Sequence, residues 1–373
     1  MGAVSLFICA LALVSLGLSG IALARDTPLD WRFALPQITA PDIAPRFEKV
    51  LDYTAETGQA HSPGILMDPH GFSIAWFEGS AEAQADVDIH AVRFTLQDGA
   101  WVGGDRAPMI TRDALGQAFD PRQLVVTLGN TVQNDAEADA LYATVVSVGG
   151  WAMASVADVR MDGSKVAHAR KLNLSPFLNR SHLVKSPMVA YADGSLALPA
   201  YFEMGGAHST LVRLAPDGRV RDTRRIDARG VKPIQPMIVP LDAHRAVAFL
   251  RDFDQSRVLW VSHTKDGGRS WTEVAPTDIP NPSAPVAALP LRDGRMLMAM
   301  NDDAMGADRL RLAVSDDGGV SWRALHTLED EGGDARYPML RRLPGGDIVL
   351  SYSHATKRGI RAVVFNDAWV EAQ

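Results

Sequence analysis

From residue 61 onward, short apolar runs alternate with turns rich in Gly and Asp, at strand rather than helix length. One unit recurs: a polar residue, often a proline next to it, a short apolar strand, a Gly/Asp turn and a second apolar strand. It first appears as His61-Ser62-Pro63-Gly64-Ile65-Leu66, turn Asp68-Pro69-His70-Gly71, and strand Phe72 to Phe77. It returns at Lys185-Ser186-Pro187, Gln235-Pro236, Ala284-Pro285 and Tyr337-Pro338, and a copy without the proline begins at Gly129-Asn130. Anchors at 62, 130, 186, 235, 284 and 337 lie 68, 56, 49, 49 and 53 residues apart. Each interval accommodates a four-stranded sheet with its loops, so the pattern predicts an all-β chain of six repeats. Radial closure is the economical packing. Each sheet buries both faces against its neighbours, and few strand edges stay open. The expectation is a six-bladed β-propeller over residues 51–371.

The segment ahead of the repeats reads differently. Val4 to Ala24 carries no charged residue, and Ala22-Leu23-Ala24 precedes Arg25. An apolar core ending in an A-x-A triplet predicts a signal peptide over residues 1–24. Met1-Gly2-Ala3 lacks the usual Lys or Arg, and about 20 apolar residues also suffice for an uncleaved membrane anchor. Residues 25–50, with Pro28, Pro36, Pro41 and Pro45, predict an extended lead segment.

Composition narrows the class. With 47% hydrophobic and 22% charged residues the chain is ordinary for a globular protein. A net charge of −7 argues against a nucleic-acid partner and leaves no polybasic patch for a membrane surface. The sole cysteine, Cys9, lies in the apolar segment, so the processed chain would have no disulfide and no thiolate nucleophile. Export without disulfides predicts a bacterial envelope location, periplasmic or secreted. The histidines show no metal-ligand spacing and no glycine loop fits a phosphate, so neither metal nor cofactor is expected.

The chemistry is expected where the repeats open. In a propeller each inner strand begins near the axis, so His61, Asn130, Lys185, Gln235 and Tyr337 should face one funnel. The ends of the second strands add Glu203, Arg251 and Asn301. A ring of polar and ionisable groups at the ends of apolar strands suits a ligand site.

Two further stretches carry a family signature. Thr264-Lys265-Asp266-Gly267-Gly268-Arg269-Ser270-Trp271 and Ser315-Asp316-Asp317-Gly318-Gly319-Val320-Ser321-Trp322 both read Ser/Thr-x-Asp-x-Gly-x-x-Trp, 51 residues apart. The Asp accepts hydrogen bonds from turn amides, the Gly takes positive φ, and the Trp folds back as a lid. The pattern resembles the Asp-box of the sialidase superfamily, and the chain is similar to bacterial sialidase-like BNR/Asp-box repeat proteins. The resemblance implies a propeller and an acidic-sugar or glycan substrate. It also implies site residues: Tyr337 as nucleophile, Arg251 and Arg309 as carboxylate-binding arginines, and Asp86 or Glu82 as acid/base. His61 stands where the resemblance puts another arginine, and Gln235 where it puts the glutamate that assists the tyrosine. An imidazole does not replace a bidentate guanidinium clamp, and a Gln takes no proton from Tyr337. These departures point away from sialic acid itself and toward another acidic sugar, such as a uronic acid. Glycoside hydrolysis leads, with uronate lyase chemistry and glycan binding without turnover as alternatives.

Overall fold

The computed structural model describes residues 2–25, 28–38, 44–175, 179–226, 228–254 and 256–373. Two units are described separately. The first contains one 23-residue helix, Ala3–Arg25, with a mean hydropathy of 2.3 over Ala3–Ile21. Its length and apolar character are compatible with a signal peptide. Asp26 and Pro41, both in the expected lead segment, lie outside the described residues.

The second unit, from Trp31 to the C-terminus, is a six-bladed all-β propeller. Each blade is an antiparallel sheet, and in blades one to five the strands run outward in chain order. Blade one is built on Gln59–Asp68, Gly71–Gly79 and Asp88–Gln97, with Ala100–Gly103 and Ala107–Ile110 at its outer edge. Blade two runs Thr127–Gln133, Ala140–Val146, Ser155–Asp162 and Lys165–Lys171. Blade three has a broken inner strand, His182–Val184 and Val189–Ala190, then Leu196–Phe202, His208–Leu214 and Val220–Arg225. Blade four contains Pro233–Pro240, Ala246–Asp252, Val258–Thr264 and Ala275–Pro280. Blade five contains Ala287–Pro290, Met296–Met300, Leu310–Ser315 and Arg323–Glu329.

Blade six closes the ring. Its inner three strands, Arg336–Arg342, Ile348–His354 and Gly359–Phe365, come from the end of the chain, and its outer strand is Phe47–Thr54. Phe47 pairs with Phe365 and Thr54 with Gly359, so the first strand of the unit clasps the last. Between blades the facing side chains form separate apolar layers. Leu66, Ala75 and Phe77 of blade one meet Leu128, Leu141 and Ala143 of blade two, and Ile65 and Ile74 meet Val349 and Val364 of blade six. The short helix Arg112–Ala118, capped by Thr111, bridges blades one and two; the strand pattern does not predict it.

Both Asp-box turns lie between the third and fourth strands of blades four and five, away from the inner strands. Asp317 accepts from the Ser321 amide at 2.9 Å and the Ser321 hydroxyl at 2.5 Å, while Ser315 Oγ accepts from the Gly319 amide. Asp266 repeats these contacts with Ser270. Gly319 has φ +95° and Gly268 +85°, a conformation reserved largely for glycine. The Trp322 indole donates to Gly319 O and packs edge-on against Phe249.

Candidate functional site

The repeat openings are β-bulges, and the bulges aim the site. Strand register slips between His61 and Gly64, Leu128 and Thr131, Ile234 and Met237, and Arg336 and Met339. Proline supplies no ladder donor, which interrupts pairing at Pro63, Pro236 and Pro338. The residues just before those prolines, Ser62, Gln235 and Tyr337, all have left-handed backbone, with φ of 55°, 53° and 59°; Ser283 has 58°. None is a glycine, so each costs ~1–2 kcal/mol of backbone strain. Ring closure overrides that cost.

The bulges surround one cavity of about 330 Å³ at the end of the inner strands. Seven of the residues singled out from the sequence line it: His61, Glu82, Asn130, Glu203, Gln235, Arg251 and Tyr337. Four do not. Asp86 accepts from the Ser80 amide and hydroxyl at 3.0 Å and stabilises its own loop. Lys185 is buried behind the cavity. Asn301 is fully buried, donating to the carbonyls of Arg309 and Ala335. Arg309 pairs with Asp302 at 2.7 Å. Sequence reasoning missed Lys357, Tyr201 and Trp151 as lining residues but placed Arg336, with Tyr337, at the opening of the last repeat. Lys357 follows Ala355 and Thr356 in a turn where all three have φ between 52° and 65°. Nothing in the residue types Ala-Thr-Lys signals three consecutive left-handed residues. Arg336 precedes Tyr337 in the repeat pattern and was legible by position.

His61 is 1% exposed, and both its ring nitrogens lack partners. Burial, helped by Lys357, Arg336 and Arg251, holds its pKa well below the usual imidazole value, so the ring is neutral at physiological pH. It packs edge-on against Tyr337, centroids 4.5 Å apart. The Tyr337 hydroxyl lies 3.5 Å from Arg251 Nη2, and Arg251 is anchored through Nη1 to Ser283 O at 2.8 Å. Gln235 Nε2 donates to Tyr201 Oη at 3.1 Å, leaving Gln235 Oε1 unpartnered. Two carboxyls face this group. Glu82 pairs with Lys357 at 2.6 Å. Burial raises the Glu203 pKa, opposed by Arg251 and reinforced by Glu82. Cations, a phenol, a neutral imidazole and a carboxyl whose pKa burial raises therefore share one small cavity. Among the described residues no cluster of His, Cys, Asp or Glu is fit to hold a metal ion.

Residues 71–350 match the BNR repeat-like domain, three quarters of the chain. The chain belongs to the BNR repeat-like family. Solved structures share the fold of this sialidase-like BNR-repeat protein at low identity. A protein of unknown function from Dyadobacter fermentans DSM 18053 is 14% identical with a TM-score of 0.65, over 85% of this chain and 97% of that one. The Hadza microbial sialidase Hz136 is 15% identical with a TM-score of 0.64, over 83% and 68%. Trypanosoma rangeli sialidase in complex with the inhibitor DANA is 11% identical with a TM-score of 0.62, over 88% and 61%. The BNR-repeat protein thus spans less than two thirds of that trypanosomal chain. No curated protein sequence matches it.

Proposed function

We propose that this BNR-repeat protein hydrolyses a glycosidic bond in an exported or envelope glycan, at a sugar that carries a carboxylate. One observation carries the reading: Tyr337 and Glu203, whose pKa burial raises, share a single cavity with Arg251, Arg336 and Lys357. The three cations suit a substrate carboxylate, and a volume of about 330 Å³ suits a sugar residue more than a long chain segment. A neutral phenol is also a better nucleophile than a carboxylate beside an anionic sugar. In this mechanism Tyr337 Oη attacks the anomeric carbon and passes its proton to the neutral His61. Glu203 protonates the leaving oxygen as the glycosidic bond breaks. The Glu203 carboxylate then takes a proton from the incoming water, whose oxygen displaces the tyrosine. The phenolate leaves and recovers its proton from His61. Glu82, released from Lys357, is the alternative acid; Asp86 is too occupied with its own loop. The test is incubation of purified protein with sialosides, uronides and bacterial exopolysaccharides, followed by analysis of released sugar. Hydrolysis of a carboxylate-bearing sugar supports the reading, and no release from any of them sinks it.

The unpartnered His61 imidazole and the amide at Gln235 favour a second reading, β-elimination from a uronate. Here His61 takes the proton α to the carboxylate, the electron pair forms a C=C bond, the β C–O bond breaks, and Tyr337 gives its proton to the leaving oxygen. Elimination leaves an unsaturated product with ultraviolet absorbance, which hydrolysis does not. Saturable glycan binding with no product of either kind would assign the cavity to recognition alone. The apolar helix Ala3–Arg25 supports export, to the periplasm or beyond; fractionation of cells expressing the full chain tests this.

A further inference from the structure

Blade three contributes a lysine that the mechanism above does not use. Lys185 is 3% exposed and does not line the cavity. Its ammonium donates to Pro338 O at 2.5 Å and, at 3.4 Å, to Val286 O. Those carbonyls belong to blades six and five, so one side chain ties three blades together around the centre of the ring. Burial, with Arg251 nearby, holds the amine down to about 7. A buried amine with no carboxylate to offset it is costly, and an aliphatic side chain would fill the site more cheaply.

The two carbonyls explain what it is there for. Pro338 directly follows Tyr337, whose φ is 59°. Val286 follows Ser283 by three residues; Ser283 has φ 58° and its carbonyl anchors Arg251. Left-handed backbone at non-glycine residues persists only where the surroundings over-determine it. The Lys185 ammonium bonds to the chain just after both of these strained residues. The first segment presents the Tyr337 phenol, and the second, through Ser283 O, holds the Arg251 guanidinium 3.5 Å from it.

We propose that Lys185 is a positioning residue: from behind the cavity it pins the Tyr337–Pro338 bulge and the Ser283–Val286 segment and so holds the Tyr337 phenol against Arg251. It acts through those two side chains and does not touch substrate. This rests on the reading that Tyr337 and Arg251 carry the chemistry of the site, but the backbone part can be tested without a substrate.

The experiment uses the full chain with Lys185→Met and Lys185→Gln. In ligand-free protein, hydrogen exchange at the amides of Tyr337, Met339, Val286 and Ala287 should quicken about tenfold or more in Lys185→Met, with the outer strands unchanged. Lys185→Gln keeps a donor and should fall between the variant and the parent. On a glycoside that the parent cleaves, Lys185→Met should lower kcat by ~100-fold with KM within about threefold, and Lys185→Gln should recover part of the loss. Unchanged exchange at both segments overturns the proposal whether or not any substrate is found. So does a raised KM with kcat intact, which would make Lys185 a substrate contact, and so does faster exchange in all six blades, which would make it a general packing residue. If exchange changes at the two segments but the parent cleaves nothing, the hydrolytic reading fails and the positioning of the two side chains stands.

Discussion

Tyr337 and His61 sit side by side because two inner strands each bulge before a proline, not because the residues are close in the chain. The phenolic oxygen makes one long contact, to Arg251, so Tyr337→Phe keeps the ring packing and removes only the hydroxyl that the proposed hydrolysis uses. That variant is expected to lose at least ~100-fold in kcat/KM with little change in melting temperature; steady-state kinetics and a thermal melt check both halves. In the proposed hydrolysis, Glu203 as general acid sets the pH dependence. A general acid must be protonated to act, and burial raises its pKa, so activity should fall as pH rises through that raised value. Glu203→Gln should abolish that descending limb along with most of the turnover, as a pH–rate profile would show. The ring of openings His61, Asn130, Gln235 and Tyr337 was legible in the sequence because each starts a repeat. Lys357 was not, since its left-handed turn has no residue-type signature. Arg309 was misleading, because Asp302, only seven residues away, satisfies its guanidinium locally.

At the scale of elements, the Asp-box turn behaves as an independent staple for a hairpin. Hydrogen bonds from Ser321, and then from Ser315 and Val320, hold the Asp317 carboxyl below its ordinary range. A carboxyl lowered in the folded state stabilises the fold above its unfolded pKa, near 4, and loses that contribution as pH falls through the lowered value. Asp317→Asn should therefore melt a few degrees below the parent at pH 7 and nearly level with it in strong acid. Thermal melts at the two pH values test the sign. Activity should hardly respond, since the turn lies between outer strands and away from the cavity. This local character is also why the turn was readable: its donors and acceptors fall within seven residues of sequence.

For the whole molecule, stability depends on closing the ring. Phe47–Thr54 contributes no repeat signature, yet it completes blade six by pairing with Gly359–Phe365 along its length. Without it the last blade would expose a strand edge and lose Phe47 from the cluster with Phe365 and Trp369. Removing residues 1–30 should leave the melting transition of the propeller in place. Removing residues 1–54 should abolish a cooperative transition and drive association, as a thermal melt and size-exclusion chromatography would report. The closing pair joins residues more than 300 positions apart, a contact that no local pattern announces.

The all-β class, the six repeats, the Asp-box turns and the ring of polar openings are legible in the residues alone. Alternation of apolar runs, proline position and turn chemistry act over a few residues, and they are written where they act. Which charges meet depends on the closed ring. Closure brought Lys357 into the cavity beside Arg336, withdrew Arg309 and Asp86 into local pairs, and placed Lys185 behind the inner strands rather than in the funnel. The reason is physical. Those outcomes depend on left-handed backbone at ordinary residues and on contacts between blades, and both are imposed by closing the ring rather than by the preferences of the residues concerned.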